Sequence, residues 1–247
     1  MKKSNRIIGL CVTAALAGWS SQGMTAGFAL MEQNASGLGN AYAGQAAAAE
    51  NASTIYFNPA GMTRLNGTQA SGVLNVIKPS AKLTPSASSA LPVFAANSAV
   101  PGSGGDAGGY NYVPQGYVSY QWNSDWWLGV GVTVPFGLST KYNSDFVGRF
   151  QSREAEIKTY DINPSVAYKV NDWLSLGGGI SYQHLNAKLK SSANILGALE
   201  GSSSLEASDS QWGYNLGAMF NLSPATRLGL SYRSVMSYDL KGTVVVS

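Results

Sequence analysis

The chain has 247 residues, with 16 Lys+Arg against 13 Asp+Glu and a single cysteine. Charged residues make up only 12% of it, about half the share usual in a soluble globular domain. Gly (29) and Tyr (13) are plentiful. This balance lacks the basic face that a nucleic-acid partner requires, and one cysteine cannot build a disulfide framework.

Lys2, Lys3 and Arg6 precede an apolar run from Ile7 to Ala17, followed by small and polar residues up to Ala26. That pattern predicts a secretory signal peptide over 1–26; its apolar run is too short to span a bilayer as a helix. Cys11 leaves with the signal, and so do three basic residues, which makes the mature chain formally neutral. Residues 27–66 show no strand periodicity. They hold an Ala-rich stretch suited to a short helix and then a Pro-Ala-Gly turn. A compact hatch or plug inside a barrel accounts for them, and a periplasmic tail is the alternative. Gly37, Gly39 and Gly44 do not form a phosphate loop, because no strand precedes them and no Gly-Lys-Ser/Thr follows.

From residue 67 to 247 the chain reads as strands. A weak run covers Thr68 to Lys82. Better ones follow, in which Val118, Tyr120 and Trp122, then Trp126 to Val134, Tyr160 to Tyr168, Leu174 to Tyr182, Trp212 to Phe220 and Leu228 to Tyr232 alternate with small or polar residues. Period-2 alternation is the mark of a strand with one apolar face. A secreted β-sandwich would alternate as well, so the links discriminate. Those at 123–125, 170–172 and 222–226 are short, whereas 83–111, 138–154 and 190–210 are long. Strict alternation of short turns and long loops is the habit of outer-membrane barrels. Trp122, Trp126, Tyr168 and Trp173 flank the short turns, where an interfacial aromatic girdle belongs. The expected fold is therefore all-β: an antiparallel transmembrane β-barrel, here an incomplete one of roughly seven strands, with an N-terminal plug. An odd strand count with an unpaired edge in lipid is not viable for a single-chain bacterial barrel, so a fragment of a longer protein is expected.

Three features bear on function. Pro135, Phe136 and Gly137 interrupt the strand that begins at Trp126, and proline cannot donate to a ladder. Beyond mid-height the inward rows turn apolar, with Ala155 and Ile157 on one strand and Leu185, Ala187 and Leu189 on the next. The outward rows turn polar at the same level, with Glu154, Glu156, His184, Asn186, Lys188 and Lys190. Grease inside and water outside predict a pocket for a hydrophobic small molecule near the external mouth; packing of loops or plug there is the alternative. His184, the sole histidine, lies on the outward row, and no inward nucleophile–base pair is found. The expectation is a protein with no enzymatic activity, no cofactor and no metal, whose partners are a hydrophobic ligand and outer-membrane lipid of a Gram-negative bacterium. A structural or adhesive barrel is the other function class.

The segments "GFALMEQNASGLGNAYAGQAA", "NPAGM", "VPFGLST" and "QWGYNLGAMFNLSPATRLGLSYRS" resemble the outer-membrane long-chain fatty acid transporters, the FadL family, which includes aromatic-hydrocarbon uptake channels. The resemblance implies a barrel of about fourteen strands, monomeric at full length and filled by an N-terminal hatch. Substrate would pass from an external groove to an internal pocket and leave sideways through a wall gap at a kinked third strand. Asn58, Pro59 and Ala60 match the hatch motif. Phe28 matches an amino-terminal aromatic that reaches the pocket, and Ala187 and Leu189 match its wall. Where the fatty-acid transporters place an inward basic residue for the carboxylate, this chain has Ser191, with Lys190 alternating outward. That departure favours an uncharged hydrocarbon.

Overall fold

A computed structural model describes residues 29–84, 102–195 and 199–247. The expected signal peptide and Phe28 lie outside the described residues. Nine strand segments form one antiparallel sheet: β1 (Thr68–Ile77), β2 (Asn111–Gln121), β3 (Trp126–Thr133), β4 (Gly137–Lys141), β5 (Glu154–Lys169), β6 (Leu174–Ile195), β7 (Leu199–Ser223), β8 (Thr226–Arg233) and β9 (Lys241–Val246). The path runs β1-β2-β3-β5-β6-β7-β8, with β4 beside β5 and β9 beside β7. Nine segments thus occupy seven lanes, and the sheet curls as half of a barrel.

The polarity of the sheet is inverted relative to a soluble protein. Val118, Leu128, Val132, Ile162, Leu176, Ile180, Leu216 and Leu230 are exposed on the outer face, while Ser119, Asp161, Asn163, Ser175, Ser181 and Asn215 are buried on the inner one. Only lipid makes such an outer face favourable. Aromatic pairs bound this apolar band at both ends. Near the short turns Trp126 meets Tyr168 with ring centres 4.6 Å apart, and Trp173 meets Phe220 at 6.0 Å. At the other end Tyr182 meets Trp212 at 4.9 Å and Tyr214 meets Tyr232 at 5.9 Å. From Trp173 to Tyr182 the strand advances about 30 Å at roughly 3.3 Å per residue. Tilted by about 40°, this gives roughly 23 Å of height, the thickness of an outer-membrane apolar band.

Three sequence expectations are corrected. The stretch 190–210 is not a long loop: β6 and β7 continue through most of it in unbroken register, from Lys190↔Ser204 to Ile195↔Leu199. Ala and Gly have weak strand propensity, but Ser191, Ser192 and Ala193 have Ser203, Ser202 and Gly201 as ladder partners directly opposite. The link 138–154 likewise contains β4. The early strand ends at Ile77 rather than at Lys82, and Lys82 keeps only an isolated bridge to Asp106.

Residues 29–66 lie against the inner face. Their helices are single turns, Gln45–Ala48 and Thr54–Phe57, with 3₁₀ turns at Leu38–Asn40 and Pro59–Arg64. Left-handed residues at both ends of the first helix, Gly44 (φ 73°) and Ala49 (φ 46°), confine it to one turn. Ala52, Ile55, Met62 and Leu65 form a core with Tyr117, Trp127 and Ala167 of the wall.

Candidate functional site

Wall glycines shape the bed of the N-terminal segment. A Cβ at Gly177 would overlap the backbone of Pro59 and Ala60, one at Gly217 would overlap Asn58, and one at Gly229 would overlap the Ala46 carbonyl. Asn58 is fully buried. Its Oδ1 accepts from Ala60 N (3.1 Å), and its Nδ2 donates to Ala46 O (2.7 Å) and to Ala218 O of β7 (3.1 Å). The Asn-Pro-Ala sequence therefore caps the 3₁₀ turn at Pro59–Arg64 and ties it to the wall. Polar wall side chains meet the backbone of the segment elsewhere. Trp127 Nε1 donates to Leu65 O (2.8 Å), Asn215 Nδ2 to Ile55 O (3.2 Å), Arg227 to Ala48 O (2.9 Å) and Arg233 to Tyr56 O (3.0 Å). Toward the other end of the segment Tyr117 donates to Gln33 O (3.0 Å), while Gln115 and Asn75 share Glu32 O.

The wall itself is interrupted at residues 134–136. β3 pairs with β5 as far as Thr133↔Asp161, and β4 resumes at Gly137↔Lys158. Three residues thus face two, the extra residue of a bulge. Val132 is exposed, but Thr133, Val134 and Pro135 are buried in succession, so the chain turns inward there. Its backbone groups are redirected. Pro135 O accepts from Leu30 N (2.9 Å), Phe136 N donates to Thr159 Oγ1 (2.9 Å), and Phe136 O accepts from Thr159 N (3.2 Å). Gly137, at the end of the interruption, does not have a left-handed φ. The bulge is held by Thr159 and Leu30.

Pairing of β2 with β3 ends at Gly116↔Val132, while β2 runs on to Asn111 beside β1 alone. Gln121 N donates toward Gly67 beside β1, and Trp122 N toward Trp126 beside β3. Amide direction alternates along an antiparallel strand, so residue 114 faces the interruption. It is Pro114, which has no donor to leave unpaired. Between β2 and β4 lies a cavity of about 540 Å³. Leu74, Tyr112 and Tyr160 line it from the outer face and Val113, Leu138 and Ile157 from the inner one, with Val134, Leu30 and the polar Asn111, Ser139 and Lys158 among the rest of its lining. The cavity is thus lined by residues of both faces of the one-layer wall.

Of the five apolar residues expected at the pocket, Ile157 alone lines this cavity. The register does align them: Ile157 faces Ala187, Ala155 faces Leu189, and Leu185 faces Thr159. Leu189 remains half exposed. The same rows extend to Leu138 on β4, to Leu205 and Ala207 on β7 and to Val244 on β9. The sequence reading missed these four because it placed three of them in loops and the fourth beyond the last strand. The alternation of Leu205, Ala207 and Asp209 with Glu206 and Ser208 was the available signal. Lys190 points to the outer face and pairs with Glu154 (3.7 Å), so its charge is not on the inner row with Ser191. His184 is outward too, bonded to Ser210 and Asn186. Among the described residues no group of His, Cys, Asp or Glu is placed to hold a metal.

The family model described as "Outer membrane protein transport protein (OMPP1/FadL/TodX)" matches residues 16–247. The chain belongs to this family. It is 28% identical over 241 residues to the long-chain fatty acid transport protein of Salmonella typhi, covering 90% of this chain and 53% of the relative. It is 30% identical over 256 residues to the 47 kDa outer membrane protein of Pasteurella multocida, covering 98% and 57%. Among solved structures, a Pseudomonas aeruginosa FadL homologue superposes with a TM-score of 0.67 at 19% identity, covering 84% of this chain and 52% of that one. The Pseudomonas putida toluene transporter TodX superposes at 0.53 and 17% identity, covering 73% and 50%. The chain spans between half and two thirds of the length of these proteins. It is an outer-membrane protein.

Proposed function

We propose that the protein takes up hydrophobic small molecules across the outer membrane. The ligand lodges on the apolar inner rows around Ala155, Ile157, Ala187 and Leu189 and leaves sideways into the bilayer between β2 and β4. Residues 29–66, and with them Phe28, act as the hatch that closes the barrel to polar solutes. The observation that carries this reading is the wall cavity lined from both faces beside Pro114 and Pro135. In lipid an unpaired backbone group costs several kcal/mol; a bulge satisfied from inside and a proline opposite it keep the wall open without that cost. A hydrophobic molecule gains from this exit because it never enters the aqueous periplasmic end. Lys190 is held by Glu154 on the outer face, which favours an uncharged ligand over a carboxylate.

The test is replacement of Pro135 by Val together with Gly137 by Thr in the full-length protein. Restored pairing should abolish uptake of radiolabelled fatty acid and alkylbenzene while ligand binding persists. Normal uptake by the double variant overturns the lateral exit. Absence of any ligand binding in the wild type returns the protein to the structural or adhesive class.

A further inference from the structure

Four buried side-chain polar atoms among the described residues have no hydrogen-bond partner: Ser119 Oγ, Thr133 Oγ1, Asp161 Oδ2 and Gln183 Nε2. Three of these side chains are neighbours. Thr133 stands directly across from Asp161, and Asp161 directly across from Gln183. They therefore share one row of the inner face, with Cβ atoms about 5 Å apart from strand to strand. Their exposures are 2%, 1% and 4%. Native proteins keep few such orphans, and each marks an unmade interaction. Three side by side mark a site.

The surroundings set its chemistry. The other Asp161 oxygen is approached by the Ser181 hydroxyl (3.4 Å), and Ser181 accepts from Arg233 (3.2 Å). Arg233 spends its second nitrogen on Tyr56 O (3.0 Å) and lies 4.5 Å over the Tyr56 ring, so it does not reach Asp161 Oδ2. The unpaired atoms thus belong to a carboxylate acceptor, a hydroxyl and an amide donor, with the Tyr238 phenol beside the Gln183 side chain. Val134 and Tyr160, chain neighbours of Thr133 and Asp161, line the wall cavity. On the other side of the row, past Thr159 and Leu185, the inner face is apolar at Ile157 and Ala187.

We propose that this row is the head-group site for an uncharged, hydroxyl-bearing amphiphile. The hydroxyl donates to Asp161 Oδ2 and accepts from Gln183 Nε2, and the hydrocarbon tail lies against Ile157 and the wall cavity. A carboxylate head would bring two anions together at Asp161. A bare hydrocarbon would leave all three polar atoms unpaired. A hydroxyl carries both the donor and the acceptor that the row lacks. The inference rests on the uptake reading and narrows its substrate class.

The test measures binding of 1-octanol, octane and octanoate to the purified full-length protein by displacement of a fluorescent probe. The wild type should bind octanol at least about tenfold more tightly than either analogue, the size of one hydrogen bond to a charged group. Asp161→Leu should remove that preference, bringing octanol and octane to within about twofold of each other; should this variant fail to assemble, Gln183→Leu reads the same ratio. Equal binding of octanol and octane by the wild type means that the row holds water only, and overturns the proposal while uptake stands. An octanol preference that survives both substitutions overturns it too. If none of the three binds, the uptake reading itself fails, and this inference falls with it.

Discussion

Gly177 and Gly178 are consecutive residues on opposite faces of β6, and their surroundings differ sharply. A Cβ at Gly177 would overlap the Pro59–Ala60 backbone, whereas one at Gly178 would make ordinary contact with Leu216 at 3.4 Å. Overpacking a tight contact costs about 1–3 kcal/mol, while a surface change of this kind stays within about 0.5 kcal/mol. Gly177→Ala should therefore lower the thermal unfolding midpoint of the folded barrel, and Gly178→Ala should leave it in place. Equal midpoints would separate the Asn-Pro-Ala turn from the stability of the wall. Glycine in the inward row was visible in the sequence, as was Asn58. That the two meet was not visible, because contact across about 120–160 residues of chain leaves no local pattern.

At the level of elements, the membrane decides what can be read. β3 and β6 are legible within the apolar band because every outward position there must satisfy lipid, so Leu128, Val130 and Val132, or Leu176, Ile180 and Tyr182, keep strict time. Above the band that demand disappears, and the upper halves of β6 and β7 carry Ser, Lys, Glu and Ala in no compelling order. What holds that region is partly a clamp. The half-exposed Glu200 carboxylate receives both Nε (2.8 Å) and Nη2 (3.2 Å) of the buried Arg149, and Ser192 N donates to Arg149 O (2.7 Å). This fastens the 142–153 link to the β6–β7 hairpin. The Arg149 hydrogen bonds hold the Glu200 carboxyl below its ordinary value of 4.5. The clamp is then at full strength above that pH and is lost as the pH falls through the depressed value. Trypsin added to intact cells should cut after Arg149 faster in Glu200→Gln than in the wild type at neutral pH. Equal cleavage rates would show that the link is fastened elsewhere. Pro135 announced the break between β3 and β4 directly. Pro114 did not announce its part, since the direction of its missing donor depends on the register with β1 and β3.

Across the whole molecule, the inverted polarity of the sheet and its filled inner face belong together. Removing residues 29–66 would strip partners from Trp127, Asn215 and Arg233 at once and expose a polar lumen. Cells carrying the full-length protein without this segment should admit small polar solutes, such as β-lactams, that the intact protein excludes. The folded barrel should also melt earlier. Unchanged permeability would mean that the segment does not seal the lumen. Residues 27–66 show no strand periodicity, and the path of 29–66 was not legible, because single-turn helices carry no amphipathic signal. Ala155 to Leu189 were identified from alternation alone. The register shows that Leu138, Leu205, Ala207 and Val244 continue their rows.

Beside the bonds that Leu30, Ala52, Asn58, Thr63 and Arg64 of the N-terminal segment donate to the wall, a second set runs the other way. Asn75, Gln115, Tyr117, Trp127, Asn215, Arg227 and Arg233 of the wall donate, and the acceptors are main-chain carbonyls of residues 32, 33, 48, 55, 56 and 65. A carbonyl is the same group in every residue. The wall thus recognises a trajectory rather than a text. Side chains of the segment that face away from the sheet are free to drift, and a foreign loop that traced the same curve would be gripped by the same seven hands.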